Sequence, residues 1–297
     1  MIQRPRLEPF RTGIAILALL LLHTPASSPE STAQSLWSDP YEEAAVSSAD
    51  RLASEAGVEI MRMGGNAVDA TVAVKFALAV TVPRAGNIGG GGFMVLRMAD
   101  GSEFTLDFRE KAPIAATRNM YLDENGDVIQ GLSLLGHKAA GVPGAVDGML
   151  QAHERFGTLP LHTLLEPAIR LARDGYALSA SQAASLNGGA ERFAAFEASA
   201  RQFLHPEGRE WRMGDRFAQP DLAGTLERIA RDGREGFYGG ETAAAIVREM
   251  EQGGGLITLD DLAAYRAVWR EPLRHRFQGV DFVAMPPPSS GGVAMAQ

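Results

Sequence analysis

Apolar and polar residues repeat along this chain with two periods, and the switches between them mark its elements. Leu52, Ala53, Ala56, Ile60 and Met63 recur near helical spacing, with Ser48 or Asp50 placed to cap the run and Gly64-Gly65 to end it. Asn66 then opens residues 67–80, rich in Ala and Val with only Asp69 and Lys75 charged, which predicts a buried helix stopped by Pro83. Asp69 reads as an acid favoured near a helix N-terminus, a structural role. Two β-prone runs follow, 93–98 and 103–108, joined by Ala99-Asp100-Gly101-Ser102, a hairpin signal. In the second run Phe104, Leu106 and Phe108 share one face and Thr105, Asp107 and Arg109 the other. One face is therefore expected in a core, with a cation ending the polar face beside Glu110.

From Pro143 the helical period returns. Residues 144–156, 161–174, 221–232 and 241–252 are expected helices, each followed by a glycine as stop signal. Residues 187–214 read as polar and irregular, anchored by Phe193, Phe196 and Trp211. Thr258-Leu259-Asp260-Asp261 resembles a capping box with Asp in place of Glu, opening a short helix to Tyr265. Residues 268–277 and 280–285 are expected strands, and Pro286 to Gly292 turns the chain. The fold class is mixed α/β (α+β).

Gly86 and the four consecutive glycines Gly89–Gly92 precede the hairpin. Such a run suits a place where the backbone takes positive φ or lies close against something. It is no phosphate loop: no G-x-G-x-x-G is present, Phe93 stands where a Walker lysine is needed, and a strand follows instead of a helix.

Composition narrows the function. A net charge of −8 without a Lys/Arg cluster argues against a nucleic-acid partner. The absence of cysteine removes disulfides, thiolate catalysis and thiolate metal sites. Residues 1–33 read as a signal peptide and lead-in: Arg4, Arg6 and Arg11, then an apolar stretch over 12–22 too short to span a bilayer, then small-residue cleavage sites at Ala26 or at Ser31-Thr32-Ala33. The expectation is a periplasmic or secreted protein, not membrane-bound once that segment is removed. Other chemistry finds no motif. The acidic stretch Asp123–Asp127 lacks the EF-hand glycine, the chain has no G-x-S-x-G or H-E-x-x-H, and its six histidines are scattered and suggest no metal site, with His137 and His275 read as surface or partly buried partners. Ser289-Ser290 has no base nearby in the sequence and is explained by its turn.

GGNAVDA (64–70), AGNIGGGGFMV (85–95), LDFREKAP (106–113), GVPGAV (141–146) and MPPPSSGG (285–292), in this order, resemble the large subunit of γ-glutamyltransferases, or glutathione hydrolases. The resemblance implies an N-terminal-nucleophile hydrolase, a four-layer αββα sandwich that is incomplete without the small subunit. In that family the proenzyme cuts itself, and the Thr freed at the small subunit's N-terminus attacks the γ-glutamyl amide. The family's Arg in the DFRE segment binds the substrate's α-carboxylate; here it is Arg109. The resemblance places no catalytic residue in this chain and implies no cofactor or metal. The partners it implies are a γ-glutamyl substrate such as glutathione and the chain's own small subunit.

Two departures stand out. Val82-Pro83-Arg84 replaces the family's His-Pro, adding a cation without an assigned role, and no Thr-Thr pair occurs. Residues 34–297 are therefore expected to be a large-subunit portion that ends before the nucleophile and is inactive alone. A cephalosporin-type acylase of the same fold, or a truncated non-enzymatic remnant, are the alternatives.

Overall fold

In the computed structural model, which describes residues 43–297, Asp50 begins the helical part. Its carboxylate accepts from the Leu52 and Ala53 amides at 2.9 and 3.4 Å and caps α1 (Arg51–Arg62). The signal-peptide segment lies outside the described residues. Asn66 and Asp69 form a reciprocal capping box on α2 (Ala67–Thr81), Asn66 Oδ1 taking the Val68 and Asp69 amides and Asp69 Oδ2 the Asn66 amide. Val72, Ala73, Phe76, Ala77 and Val80 of this helix are fully or almost fully buried, as its continuous apolar sequence requires. Pro83 ends α2 as expected and also opens a single helical turn, α3 (Pro83–Gly86).

The glycine run leads into β1 (Phe93–Arg97) and β2 (Glu103–Asp107), an antiparallel hairpin with Val95 opposite Thr105. The long segment after it reaches α4 (Ala145–Phe156) and α5 (Leu161–Asp174). Helices α1, α4 and α5 pack around α2, and Asp69 links α2 to the last two of them. Its carboxylate also accepts from the Thr158 amide at 3.0 Å and the Thr158 hydroxyl at 2.6 Å, in the connection between α4 and α5. Asp69 is thus structural, as the sequence suggests.

Next come β3 (Tyr176–Ala177), α6 (Ala180–Gly188), α7 (Ala190–Ala194), α8 (Glu197–Phe203) and β4 (Arg216–Phe217). The expectation of an irregular stretch over 187–214 is corrected here: it holds two short helices. Aromatic packing supplies what their weak local signals lack, with Phe193 4.9 Å from Phe203 and Phe203 6.3 Å from Phe217 between ring centroids. Then α9 (Pro220–Asp232), α10 (Glu235–Tyr238) and α11 (Gly240–Gly253) lead to α12 (Leu259–Ala264). The Thr258–Asp261 capping box on α12 forms as read.

The expected strand over 268–277 is two strands. β5 (Val268–Arg270) completes a sheet in the order β1-β2-β5, whereas β6 (Leu273–Phe277) pairs with β7 (Val280–Ala284) in a separate hairpin before α13 (Gly291–Ala296). Pro272, which cannot donate to a ladder, stands at the break. A second correction concerns β2. Because β5 lies beside it, Thr105 and Asp107 are buried along with Leu106 and Phe108, so its polar face does not meet solvent. Thr105 Oγ1 donates to Arg270 O at 2.8 Å.

Candidate functional site

Arg109 is the second residue beyond β2, and its backbone is held on every side. Its amide donates to Asp107 Oδ1 at 3.1 Å, and its carbonyl accepts from the Tyr265 hydroxyl at 2.8 Å. Asp107 is in turn gripped by Arg270, whose Nε donates to Oδ2 at 2.8 Å. Tyr265 is 2% exposed and stacks on Tyr238, with centroids 5.8 Å apart and planes within 6°. Burial, helped by the Asp147 and Asp107 charges, pushes its phenol well above the ordinary value, so it stays a neutral donor.

The glycine run forms the other wall. Gly91 has an ordinary backbone conformation among the described residues, and close approach is what demands glycine. A Cβ there would come 2.5 Å from Phe108 O, 2.8 Å from Glu110 N and 2.9 Å from Arg109 Cα. Gly92 and Phe108 exchange backbone hydrogen bonds at 3.3 and 3.0 Å, continuing the hairpin ladder. Gly90 O accepts from both the Gly144 and Ala145 amides at 2.9 Å, which docks the start of α4 on the run. At Gly144 a side chain would overlap Phe108 O and the Tyr265 hydroxyl. Of the two expectations for these glycines, close packing is the one realised.

From this braced backbone the Arg109 side chain is exposed. Among the described residues no ion pair joins it to Asp107 or Glu110, since Asp107 is committed to Arg270. It borders an open depression of about 290 Å³ together with Glu110, Lys111, Tyr121 and Lys138. Lys111 Nζ sits 4.9 Å from the Tyr265 ring centroid and donates to Arg266 O at 2.8 Å. The Tyr121 hydroxyl donates to Lys138 O at 3.1 Å. Three cations against one carboxylate make the depression suited to an anion, and the guanidinium is the group able to grip a carboxylate with two parallel bonds. Lys111, Tyr121 and Lys138 were not singled out in the sequence. Lys111 adjoins the DFRE segment, but nothing local brings Lys138 to it.

The other candidates stay apart. Ser289 and Ser290 lie in the turn after β7, with the Ser289 amide bonded to Pro286 O at 3.2 Å and no side-chain hydrogen bond to either hydroxyl among the described residues. His137 pairs with Glu249 at 2.9 Å, on the surface of α11. No group of three His, Cys, Asp or Glu among the described residues is arranged to hold a metal ion. No helix among them is long and apolar enough to cross a membrane.

With the geometry in place, comparison with known proteins gives the class. Residues 53–297 match the family model described as Gamma-glutamyltranspeptidase, and the chain belongs to that family. It is 49% identical over 259 residues to a glutathione hydrolase proenzyme of Pseudomonas aeruginosa, covering 85% of this chain and 44% of that protein. An Acylase ACY 1 proenzyme of Pseudomonas sp. (strain V22) is 41% identical over 252 residues, covering 83% and 45%. The crystal structure of Helicobacter pylori gamma-glutamyltranspeptidase superposes with a TM-score of 0.85 at 46% identity, covering 86% of this chain and 74% of that one. The fold is therefore the gamma-glutamyltranspeptidase variety of the N-terminal-nucleophile hydrolase fold. The chain spans about half the length of the curated relatives it matches.

Proposed function

We propose that this chain is the large-subunit portion of an enzyme that cleaves γ-glutamyl amides such as glutathione, passing the γ-glutamyl group to water or to an amino acid or peptide. In this reading Arg109 holds the substrate's α-carboxylate, and Lys111 and Lys138 make the surrounding potential positive. The observation that carries the reading is the exposed guanidinium, in no ion pair among the described residues, on a backbone held by Asp107, Tyr265 and Gly91. A side chain already engaged in an ion pair would have to give up that partner before binding. This one projects from fixed backbone with its donors open.

The nucleophile comes from the small subunit. Its N-terminal Thr hydroxyl adds to the γ-carbonyl while its own α-amine takes the proton; the amide C–N bond breaks, and the leaving amine receives that proton. The resulting ester is then attacked by water or an acceptor amine, which restores the Thr hydroxyl. The small subunit is thus the chain's partner, in keeping with the proenzyme names of its relatives. The N-terminal segment supports placing the mature protein in the periplasm or outside the cell.

The test is made on the complete two-subunit enzyme. Arg109→Ala is expected to weaken γ-glutamyl-p-nitroanilide binding by roughly 1.5–3 kcal/mol, read as KM. Arg109→Lys is also expected to bind poorly because a lysine lacks the fork. Unchanged KM in both variants would remove Arg109 from the site. The acylase relative supports a second reading, hydrolysis of a cephalosporin-type side-chain amide, and parallel assays with both substrate classes separate the two.

A further inference from the structure

Apart from Asp69 in its first turn, helix α2 carries one charged residue, Lys75. An apolar side chain would suit its packing, because Val72 and Ala79, one helical turn to either side, are buried. Instead a half-buried ammonium reaches off the helix to two main-chain oxygens, donating to Gly86 O at 2.6 Å and Asn87 O at 3.0 Å. Removing an ammonium from water is costly unless it is well paired. Burial brings this amine down to about 8, with attraction from the Glu110 carboxylate working the other way. A cation kept in such a place implies a task that an apolar residue would not perform.

The two carbonyls define that task. Gly86 ends α3, Asn87 follows it, and the four-glycine run begins two residues later. A run of glycines has the largest backbone freedom to lose, so its course depends on anchors outside itself. The downstream anchors are the bonds from Gly144 and Ala145 to Gly90 O and the Gly92–Phe108 pair. Upstream, the ammonium holds the Gly86 and Asn87 carbonyls. Between these anchors Gly91 lies against the Arg109 backbone.

We propose that Lys75 is a positioning residue for the Arg109 site: by gripping the Gly86 and Asn87 carbonyls it fixes the entry to the glycine run, and through that run the backbone from which Arg109 projects. The proposal rests on the reading of Arg109 as the carboxylate-binding group. Lys75 itself touches no substrate.

The experiment uses the complete two-subunit enzyme with Lys75→Met, a substitution of similar length without donors, and Arg109→Ala as a separate variant. Backbone amide exchange is measured at Gly92, Gly144 and Ala145, alongside KM and kcat for γ-glutamyl-p-nitroanilide. In Lys75→Met, exchange at these amides is expected to quicken about tenfold beyond any change in global stability. KM should rise about fivefold, with kcat within about twofold of wild type. A merely structural lysine would change global stability without this local signature or the KM-specific effect. Loop exchange that follows global stability alone overturns the proposal, as does a loosened loop with unchanged KM in an enzyme where Arg109→Ala raises it. An unchanged KM in Arg109→Ala overturns the reading beneath it, and that result comes from a different protein. Should Lys75→Met fail to fold, Lys75→Gln, which keeps an N–H donor on a shorter arm, carries the same measurements with smaller expected changes.

Discussion

Arg270 takes the Asp107 carboxylate across the β2–β5 pairing, Nε to Oδ2 at 2.8 Å, and this keeps the nearest acid from closing on Arg109. Asp107 has one oxygen on the Arg270 guanidinium and the other on the Arg109 amide. It orders the arginine's backbone and leaves its side chain open.

Asp107→Ala is therefore expected to act twice. It strands Arg270 and frees the Arg109 amide, costing about 1.5–3 kcal/mol of stability, the range for hydrogen bonds to a charged group. Urea denaturation reads that loss, and KM should rise with it. Arg270→Leu should weaken binding further than it weakens the fold, because the released Asp107 carboxylate can then pair with Arg109. A fall in stability with no change in KM for Arg270→Leu would show that Asp107 does not compete for it.

Glycine substitutions should separate by close approach. Gly91→Ala and Gly144→Ala force a methyl into the Arg109 backbone and against the Tyr265 hydroxyl, respectively. Each is expected to cost about 1–3 kcal/mol or more, or to prevent folding. Gly89→Ala, whose nearest neighbour would be Asn87 Oδ1 at 3.5 Å, should fold with almost unchanged midpoint. Equal denaturation midpoints for Gly91→Ala and Gly89→Ala would refute the close-contact explanation.

Stability should also depend on pH through Lys75. Its amine titrates near 8 when folded, against 10.5 as a model group, so the unfolded chain binds more protons between those values. Stability therefore rises with pH across this window, by up to about 3 kcal/mol. The contribution is the relief of a buried charge, and it is absent below pH 8. Lys75→Met should flatten that rise when thermal midpoints are compared at pH 7.5 and 10. A parallel rise in both proteins would assign it to other groups.

Asp69 gives the opposite sign at the acid end. Burial pushes its carboxyl up, but hydrogen bonds from Thr158, Asn66 and Leu159 outweigh that and hold it below its ordinary 3.8. Its stabilisation is present above that value and is lost as pH falls through the folded value. Asp69→Asn should be less stable at neutral pH and show a shallower acid-denaturation slope. Identical acid slopes would count against Asp69 as the acid-sensitive tie between α2 and the α4–α5 connection.

The reach of the sequence follows the range of the interactions. Asn66 with Asp69 and Thr258 with Asp261 are three residues apart, so both capping boxes could be read from spacing. The β1–β2 hairpin was readable from Asp100-Gly101. The buried second face of β2 was not, because what covers it is Arg270, 163 positions from Asp107. The hidden break in the expected 268–277 strand had a local signal in Pro272, but the pattern of apolar residues on either side continued through it. Arg109 was picked out as the candidate binding residue through motif resemblance, whereas its support by Tyr265 lies 156 residues away and depends wholly on the tertiary fold.

That separation bears on how the protein is made. A ribosome emits Arg109 long before Tyr265 and Arg270, so the nascent chain carries the arginine without the two groups that hold its backbone and occupy its acidic neighbour. Because contacts distant in sequence close late, the site stays immature throughout synthesis of α4 to α12. Pausing translation before residue 265 would leave a chain whose early helices can pair while the arginine still has no fixed direction.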